Sequence, residues 1–400
     1  MNMRNSGISR RGFVSGLTAI LGYAGLAPGS ILGMQAPAIQ RRPPRPTEDE
    51  YDAFAKLSSN ENPWGPYDSV MKAMNRAFKY ANRYGYPDGN LAEEIAAHHG
   101  VETGNLLITA GSGEVLDVVG TTFLAGDKEV LGVEPSYSSV YRHATNIKSE
   151  AIVLPLLEDL RQDIPSMIQA VKRHYREIGF VYLCNPNNPT GVIVTKDEVR
   201  QLLDGIPEDV PVLIDEAYHH FVDDPRYETS IPHVIEGRRV IVARTFSKIA
   251  ALAGMRIGYA VAPKDVIERM QPWASGSVNA LAKWGAVTAL KDTASQEKVK
   301  RMTIELRGQT TAELESMGFK VIPSETNFFF MHIGRDVRPV IDAFRERGVL
   351  VGRPFPPMLD YLRVSIGNDE EMHRFMVAFK EVFPDGPGSG EKPTAAPSVG

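Results

Sequence analysis

Lys248 closes the run Ala243-Arg244-Thr245-Phe246-Ser247-Lys248, behind the apolar stretch Arg239-Val240-Ile241-Val242 and eight residues before Arg256. A lysine amine delivered to the end of a buried strand can form a Schiff base with an aldehyde. The hydroxyls of Thr245 and Ser247 and the guanidinium of Arg256 can hold a phosphate beside it. Together they suit an aldehyde that carries a phosphate.

Other apolar runs also end on polar residues. Leu106-Leu107-Ile108-Thr109 passes through Gly111-Ser112-Gly113 into a helix predicted over Val115 to Thr121. Free amides at such a helix start attract an anion. Glu129 to Val133 leads to Tyr137, whose ring could stack on a flat ligand. Phe180 to Cys184 is followed by Asn185-Pro186-Asn187-Asn188-Pro189-Thr190-Gly191, a rigid turn in which Asn188 can hydrogen-bond a ligand oxygen. Val212-Leu213-Ile214 ends on Asp215, and a buried carboxylate needs a cationic or N–H partner. A protonated ring nitrogen would supply one, and a helix N-cap is the competing explanation. His219 and His220 are adjacent, point in different directions, and read as packed or solvated rather than as metal ligands.

The elements that must position these groups follow from the pattern. Beyond the strands already named, runs at Ile152 to Leu154, Val240 to Ala243 and Ile257 to Val261 lack polar alternation. Strands of this kind are buried on both faces of a largely parallel sheet, and such sheets bind ligands beyond their carboxyl ends. The expected fold is α/β: a mostly parallel seven-stranded sheet flanked by helices, plus a smaller α+β domain. From about Lys298 the pattern changes to a long helix reaching Met317, a strand over Asn327 to His332, a helix over Val337 to Arg347, two short strands and a helix over Glu370 to Phe383. The expected division is a signal over 1–38, an arm over 39–56, a small domain over 57–84 and 298–383, a large domain over 85–297, and a disordered tail over 384–400.

Composition excludes several classes. The chain has 400 residues, 43% of them hydrophobic, and a net charge of -5. That is enough to bury a large core, with no basic stripe for nucleic acid. Its single cysteine, Cys184, rules out an intramolecular disulfide and a Cys-rich metal site and reads as a small buried thiol. At the start, Ser9-Arg10-Arg11-Gly12-Phe13 precedes about 15 moderately apolar residues, with Ala36-Pro37-Ala38 as a cleavage site. This resembles a twin-arginine export signal, and the stretch is shorter than the roughly 20 residues of a spanning helix. The expectation is an exported or periplasmic protein without stable membrane insertion, with a cytoplasmic location as the alternative.

Taken in order, Asn188-Pro189-Thr190-Gly191, Asp215-Glu216-Ala217-Tyr218, Ser247-Lys248 with Arg256, and Arg363-Val364-Ser365-Ile366-Gly367 resemble the fold-type I pyridoxal phosphate enzymes, in particular the class I/II aminotransferases. Ser59-Asn60-Glu61-Asn62-Pro63 and Tyr84-Gly85-Tyr86-Pro87-Asp88 are similar to signatures of the histidinol-phosphate aminotransferase subgroup. The resemblance implies pyridoxal 5'-phosphate as cofactor. Lys248 would be the catalytic base and cofactor lysine, and Asp215 the partner of the ring nitrogen. Asn188 and Tyr218 would bond the phenolic oxygen, with Tyr137 stacked on the ring. Ser112, Gly113, Thr245, Ser247 and Arg256 would hold the phosphate, joined by Tyr86 from a partner subunit, which implies a homodimer. Arg363, Asn62 and Trp64 would bind substrate. In that subgroup a tyrosine stands where this chain has Trp64, and the arginine after Gly348-Val349-Leu350-Val351 is displaced by one, as Arg353. Both departures favour an amino acid or related amine as donor and a 2-oxo acid as acceptor, with histidinol phosphate kept as the family's alternative. Decarboxylases and racemases of this fold share the cofactor motifs, and so does the aminotransferase-like module of pyridoxal-phosphate-dependent regulators, which carries no enzymatic role.

Overall fold

Apolar runs without polar alternation become strands sealed on both faces, except the run over Ile152 to Leu154, which forms a partly exposed edge strand with only one neighbour to cover it. The computed structural model describes residues 47–387. The signal and most of the arm and the tail lie outside the described residues. The chain forms two units. Of the first, which ends at Tyr51, the described part is the beginning of an acidic helix, Glu48–Ala53. The site lies in the second, Asp52–Gly400.

Its main sheet has seven strands: β2 (Leu106–Thr109), β3 (Glu129–Glu134), β4 (Ala151–Pro155), β5 (Ile178–Cys184), β6 (Val212–Asp215), β7 (Val240–Thr245) and β8 (Gly258–Val261). Their order is β2-β8-β7-β6-β5-β3-β4, parallel except for β8, which runs antiparallel to both neighbours. Successive side chains alternate between two cores. Val181, Leu183, Val212, Ile214, Val240 and Val242 face one, while Phe180, Tyr182, Leu213, Ile241 and Ala243 face the other. Each Val, Leu, Ile or Phe among them contributes about 1.5–3 kcal/mol on burial.

Register then lines up the strand ends. Cys184 lies opposite Asp215, Asp215 opposite Ala243, and Gly258 opposite both Thr245 and Thr109. The polar residues that follow the strands therefore emerge along one edge.

The 24-residue helix Thr293–Ser316 leads away from this sheet. It begins before the predicted Lys298 because Asp292 caps it, accepting from the Ser295 amide. Its first turn carries no apolar stripe from which periodicity could have announced it. Beyond it, β9 (Lys320–Ile322), β10 (Phe328–His332) and β12 (Tyr361–Ser365) form an antiparallel sheet in the order β12-β10-β9. The helices Val337–Glu346 and Asp369–Val382 accompany it, around a core with Phe329, Phe344, Phe375 and Phe379. The early strand β1 (Ala55–Lys56) pairs with β11 (Val349–Leu350), so residues just before Leu57 join this later part of the chain. Among the described residues, no helix is long and apolar enough to cross a membrane.

Candidate active site

Two adjoining cavities open along the carboxyl edge of the sheet, of 260 and 560 Å³, and both are lined by Lys248, Tyr137 and Tyr218. Lys248 follows β7, and its Nζ donates to the Ser59 carbonyl at 3.1 Å. It stands 5.7 Å from the centre of the Tyr218 ring. Desolvation by the cavity walls, then the Arg363 guanidinium, pushes its amine down to about 8. A lysine tuned in this way is partly neutral, hence nucleophilic, near neutral pH.

Asp215 ends β6, is 3% exposed, and accepts from the Ala217 amide at 3.2 Å. This is a local turn rather than a helix cap, because the following short helix His219–Phe221 has no side-chain cap. Burial raises its carboxyl to about 6, with Lys248 only partly opposing. The group lacks a hydrogen-bonded cation and would be relieved by one.

The anion corner lies on the far side of Lys248. Helix Ser112–Phe123 starts there and presents the amides of Ser112 and Gly113. Thr245 donates to Ser247 Oγ at 2.9 Å, and Thr245, Ser247 and Arg256 line the cavity beside them. Glycine is required at 111, since a Cβ there would lie 2.3 Å from Arg256 Nη2 and its φ is +86°.

At the other end Arg363, 6% exposed, donates from Nη1 to Asn188 Oδ1 at 2.7 Å and from Nη2 to the Ser58 carbonyl. Asn188 also donates to the Tyr218 hydroxyl at 3.3 Å. Burial pushes the Arg363 guanidinium down to about 10.

Three predicted residues stand elsewhere. Neither Asn62 nor Trp64 lines either cavity. Asn62 donates to the Ile249 carbonyl at 2.8 Å, and Trp64 packs on the main core. Tyr86 donates to the Val278 carbonyl at 2.7 Å and stacks on Tyr80. His219 and His220 are half-buried, and His219 Nδ1 lies 2.8 Å from the Glu216 carbonyl. Among the described residues no cluster of His, Cys, Asp and Glu could hold a metal.

The structure adds residues that sequence reasoning missed. Asn60 donates to the Tyr218 hydroxyl at 3.0 Å, and Ser59 and Glu61 line the cavity. They sit within the Ser59-to-Pro63 run, whose signal was present but assigned to its neighbours. Arg353 lines the larger cavity despite its one-residue displacement, with its guanidinium over the Phe355 ring. Behind Asp215, the fully buried Glu216 accepts from Arg244 Nη2 at 2.7 Å and from the Ser230 amide at 2.6 Å. Glu216→Ala leaves the Arg244 charge buried and unpaired, an expected loss of about 3–5 kcal/mol, read as a lower denaturation midpoint in urea.

Comparison with known families places the chain that carries these groups. A family model described as aminotransferase class I and II matches residues 53–379. The chain belongs to the class I and II aminotransferases. This aminotransferase is 37% identical to the histidinol-phosphate aminotransferase of Moorella thermoacetica, over 82% of its own length and 85% of the relative's. It is 36% identical to histidinol-phosphate aminotransferase 2 of Carboxydothermus hydrogenoformans, over 82% and 91%. A crystal structure of a putative histidinol-phosphate aminotransferase from Erwinia carotovora atroseptica superposes with a TM-score of 0.79 at 31% identity, covering 83% of this chain and 96% of that one. The histidinol-phosphate aminotransferase of Sinorhizobium meliloti, solved in complex with pyridoxal-5'-phosphate, gives 0.78 at 26% identity, covering 89% and 99%.

The enzyme is a pyridoxal 5'-phosphate-dependent transaminase, and the residues present fit that group. Asp215, buried without a hydrogen-bonded cation, matches a protonated ring nitrogen. The corner of Ser112, Gly113, Thr245, Ser247 and Arg256 matches the phosphate, and Lys248 the aldehyde. Asn188, Asn60 and Tyr218 form a connected hydrogen-bonded set that would meet the phenolic oxygen. Bound in this way, the cofactor supplies an electron sink for charge developing at the substrate's Cα. Lys248, which lines both cavities, would be placed to act as the base that moves the proton at that carbon.

Proposed function

We propose that the amino donor is a phosphorylated amino alcohol of the histidinol phosphate type, and that a 2-oxo acid is the acceptor. The observation that carries this reading is a pair of arginines on one cavity. Arg363 and Arg353 both line it, and their guanidinium carbons lie 4.8 and 4.3 Å from the centre of the Phe355 ring. The Arg353 charge opposes that of the buried Arg363, and a dianionic phosphate ester in the cavity they share answers both. The relatives' common activity supports the same class. The displacement of Arg353, which argued from sequence for an amino acid donor, does not take that arginine away from the cavity.

A donor panel tests the proposal. With a fixed 2-oxo acid, kcat/KM for histidinol phosphate is expected to exceed that for unphosphorylated histidinol by at least about 100-fold, the ~3 kcal/mol of a charge-assisted contact. Arg353→Ala should remove most of that preference. Equal kcat/KM for the two donors would exclude a phosphate-bearing substrate in favour of an amino acid.

We also propose a homodimer exported by the twin-arginine route. Tyr84, Phe78 and Trp273 are exposed aromatic side chains, of the kind that partner surfaces cover, which supports the dimer. Arg10-Arg11 and the apolar stretch behind them support export, a route that carries proteins already folded. Sedimentation of the purified enzyme reads the first, and fractionation of cells expressing the full chain reads the second. A monomer, or an uncleaved chain found only in the cytoplasm, overturns the respective reading.

A further inference from the structure

The segment from Ser58 to Tyr67 touches the catalytic groups from above. The Ser58 carbonyl accepts from Arg363, the Ser59 carbonyl from Lys248, and the Asn60 amide donates to Tyr218. Two further contacts serve no ligand. Asn62 Nδ2 and the Tyr67 hydroxyl both donate to the carbonyl of Ile249, at 2.8 and 2.6 Å. Ile249 is the residue after Lys248. Both lone pairs of that one oxygen are thus engaged by side chains more than 180 residues away in sequence.

The local setting explains why such a hold is needed. Residues 248–256 form a loop with two non-glycine residues in the left-handed region, Ala251 at φ 56° and Arg256 at φ 55°. L side chains adopt that conformation at a cost and keep it only where surroundings impose it. Within the loop, the Ala251 amide bonds the Lys248 carbonyl and the Leu252 amide the Phe246 carbonyl, so the loop is braced on itself. Met255 and Arg256 tie the far end of the loop, to Asn279 and Ala110, and Ile249 ties the end that carries the lysine backbone. Both donors are themselves fixed: Asn62 Oδ1 accepts from the Trp64 amide at 3.1 Å, and Tyr67 is 8% exposed in the main core.

The geometry points to Asn62 and Tyr67 as positioning residues for Lys248, a two-donor clamp that sets where the lysine amine stands relative to the cofactor aldehyde. Neither side chain reaches the cavity, and each acts through the backbone of the residue next to the lysine. The assignment holds for whichever donor the enzyme uses.

The test begins with the apoprotein, so that a failed donor reading leaves it standing. Capture of pyridoxal phosphate is followed by the visible absorbance of the lysine-bound form, and reduction with borohydride followed by peptide mass confirms Lys248 as the site. Tyr67→Phe keeps the ring in the core and removes only the donor. It is expected to slow capture and to lower kcat of the loaded enzyme about tenfold each, equivalent to 1.36 kcal/mol, with both KM values and the apoprotein's thermal midpoint nearly unchanged. Asn62→Ala acts in the same direction. The double variant loses more than the product of the singles, because either donor alone still fixes the oxygen.

The pH midpoint of capture provides a second reading. Glu61, Asp215, Arg363, Arg256 and Tyr218 face Lys248 and are unchanged in these variants, so a moved midpoint reports a displaced amine. Unchanged capture rate and midpoint in the double variant would overturn the assignment. So would a loss that merely tracks the unfolded fraction.

Discussion

Lys248→Ala is expected to lower kcat by roughly 10³-fold or more and to abolish the visible absorbance of the lysine-bound cofactor, with the apoprotein as stable as the parent. The lysine would serve as both the attachment point and the base at the substrate's Cα, since no second amine lines the smaller cavity. Stability should survive because Nζ makes a single hydrogen bond, to the Ser59 carbonyl, and its charge is already disfavoured by desolvation. Absorbance, turnover and thermal denaturation of the purified variant check all three statements. The lowered lysine also predicts a pH dependence of cofactor capture. The rate should rise as pH increases through about 8, since the neutral amine attacks. A flat profile between pH 6 and 9 would contradict that tuning.

Asp215→Asn should be nearly as damaging to turnover, by roughly 10²-fold or more, for a different reason. Its buried carboxylate would hold a proton on the ring nitrogen of the bound cofactor, and without it the electron sink would weaken. Stability should move the other way. In the apoprotein the Asp215 carboxyl is raised to about 6, so the folded state binds a proton more readily than the unfolded chain between about pH 4 and 6. Its charge therefore costs stability at neutral pH, a cost that fades as pH falls through 6 and is absent below the ordinary carboxylate range. Asparagine carries no charge to bury, so the apo variant should match or exceed the parent's denaturation midpoint at pH 7, and the two should converge near pH 4. If the variant is markedly less stable at pH 7, the carboxylate has a partner that this geometry does not contain.

Much of the site was legible because sheet chemistry writes it at strand ends. An apolar run closing on a polar residue is a local pattern, and Asp215, Asn188, Thr245, Ser247 and Lys248 each follow one. The glycine turn before Ser112 is local as well. Asn62 was legible as a signature residue but not in its role, since the partner of its amide is an Ile249 carbonyl that no side-chain pattern marks. Arg353 was discounted for a one-residue displacement, yet the turn that follows β11 still brings it to the cavity. Glu216 and Arg244 were unreadable as a pair: each sits beside a more conspicuous residue, and their contact depends on β6 lying next to β7.

The sequence by itself determined the strands, the buried character of all but the edge strand β4, the family and the cofactor, because those are carried by short-range patterns and by residue types whose chemistry is specific. Tertiary structure decided the rest. Sheet order brought five strand ends to one edge, and the antiparallel pairing of β8 with both neighbours set Thr245, Gly258 and Thr109 side by side. Folding the Ser58-to-Tyr67 segment over that edge gave Arg363, Lys248, Tyr218 and Ile249 their backbone and amide partners. Such contacts join residues far apart in the chain and often use main-chain oxygens, which every residue possesses and no sequence distinguishes.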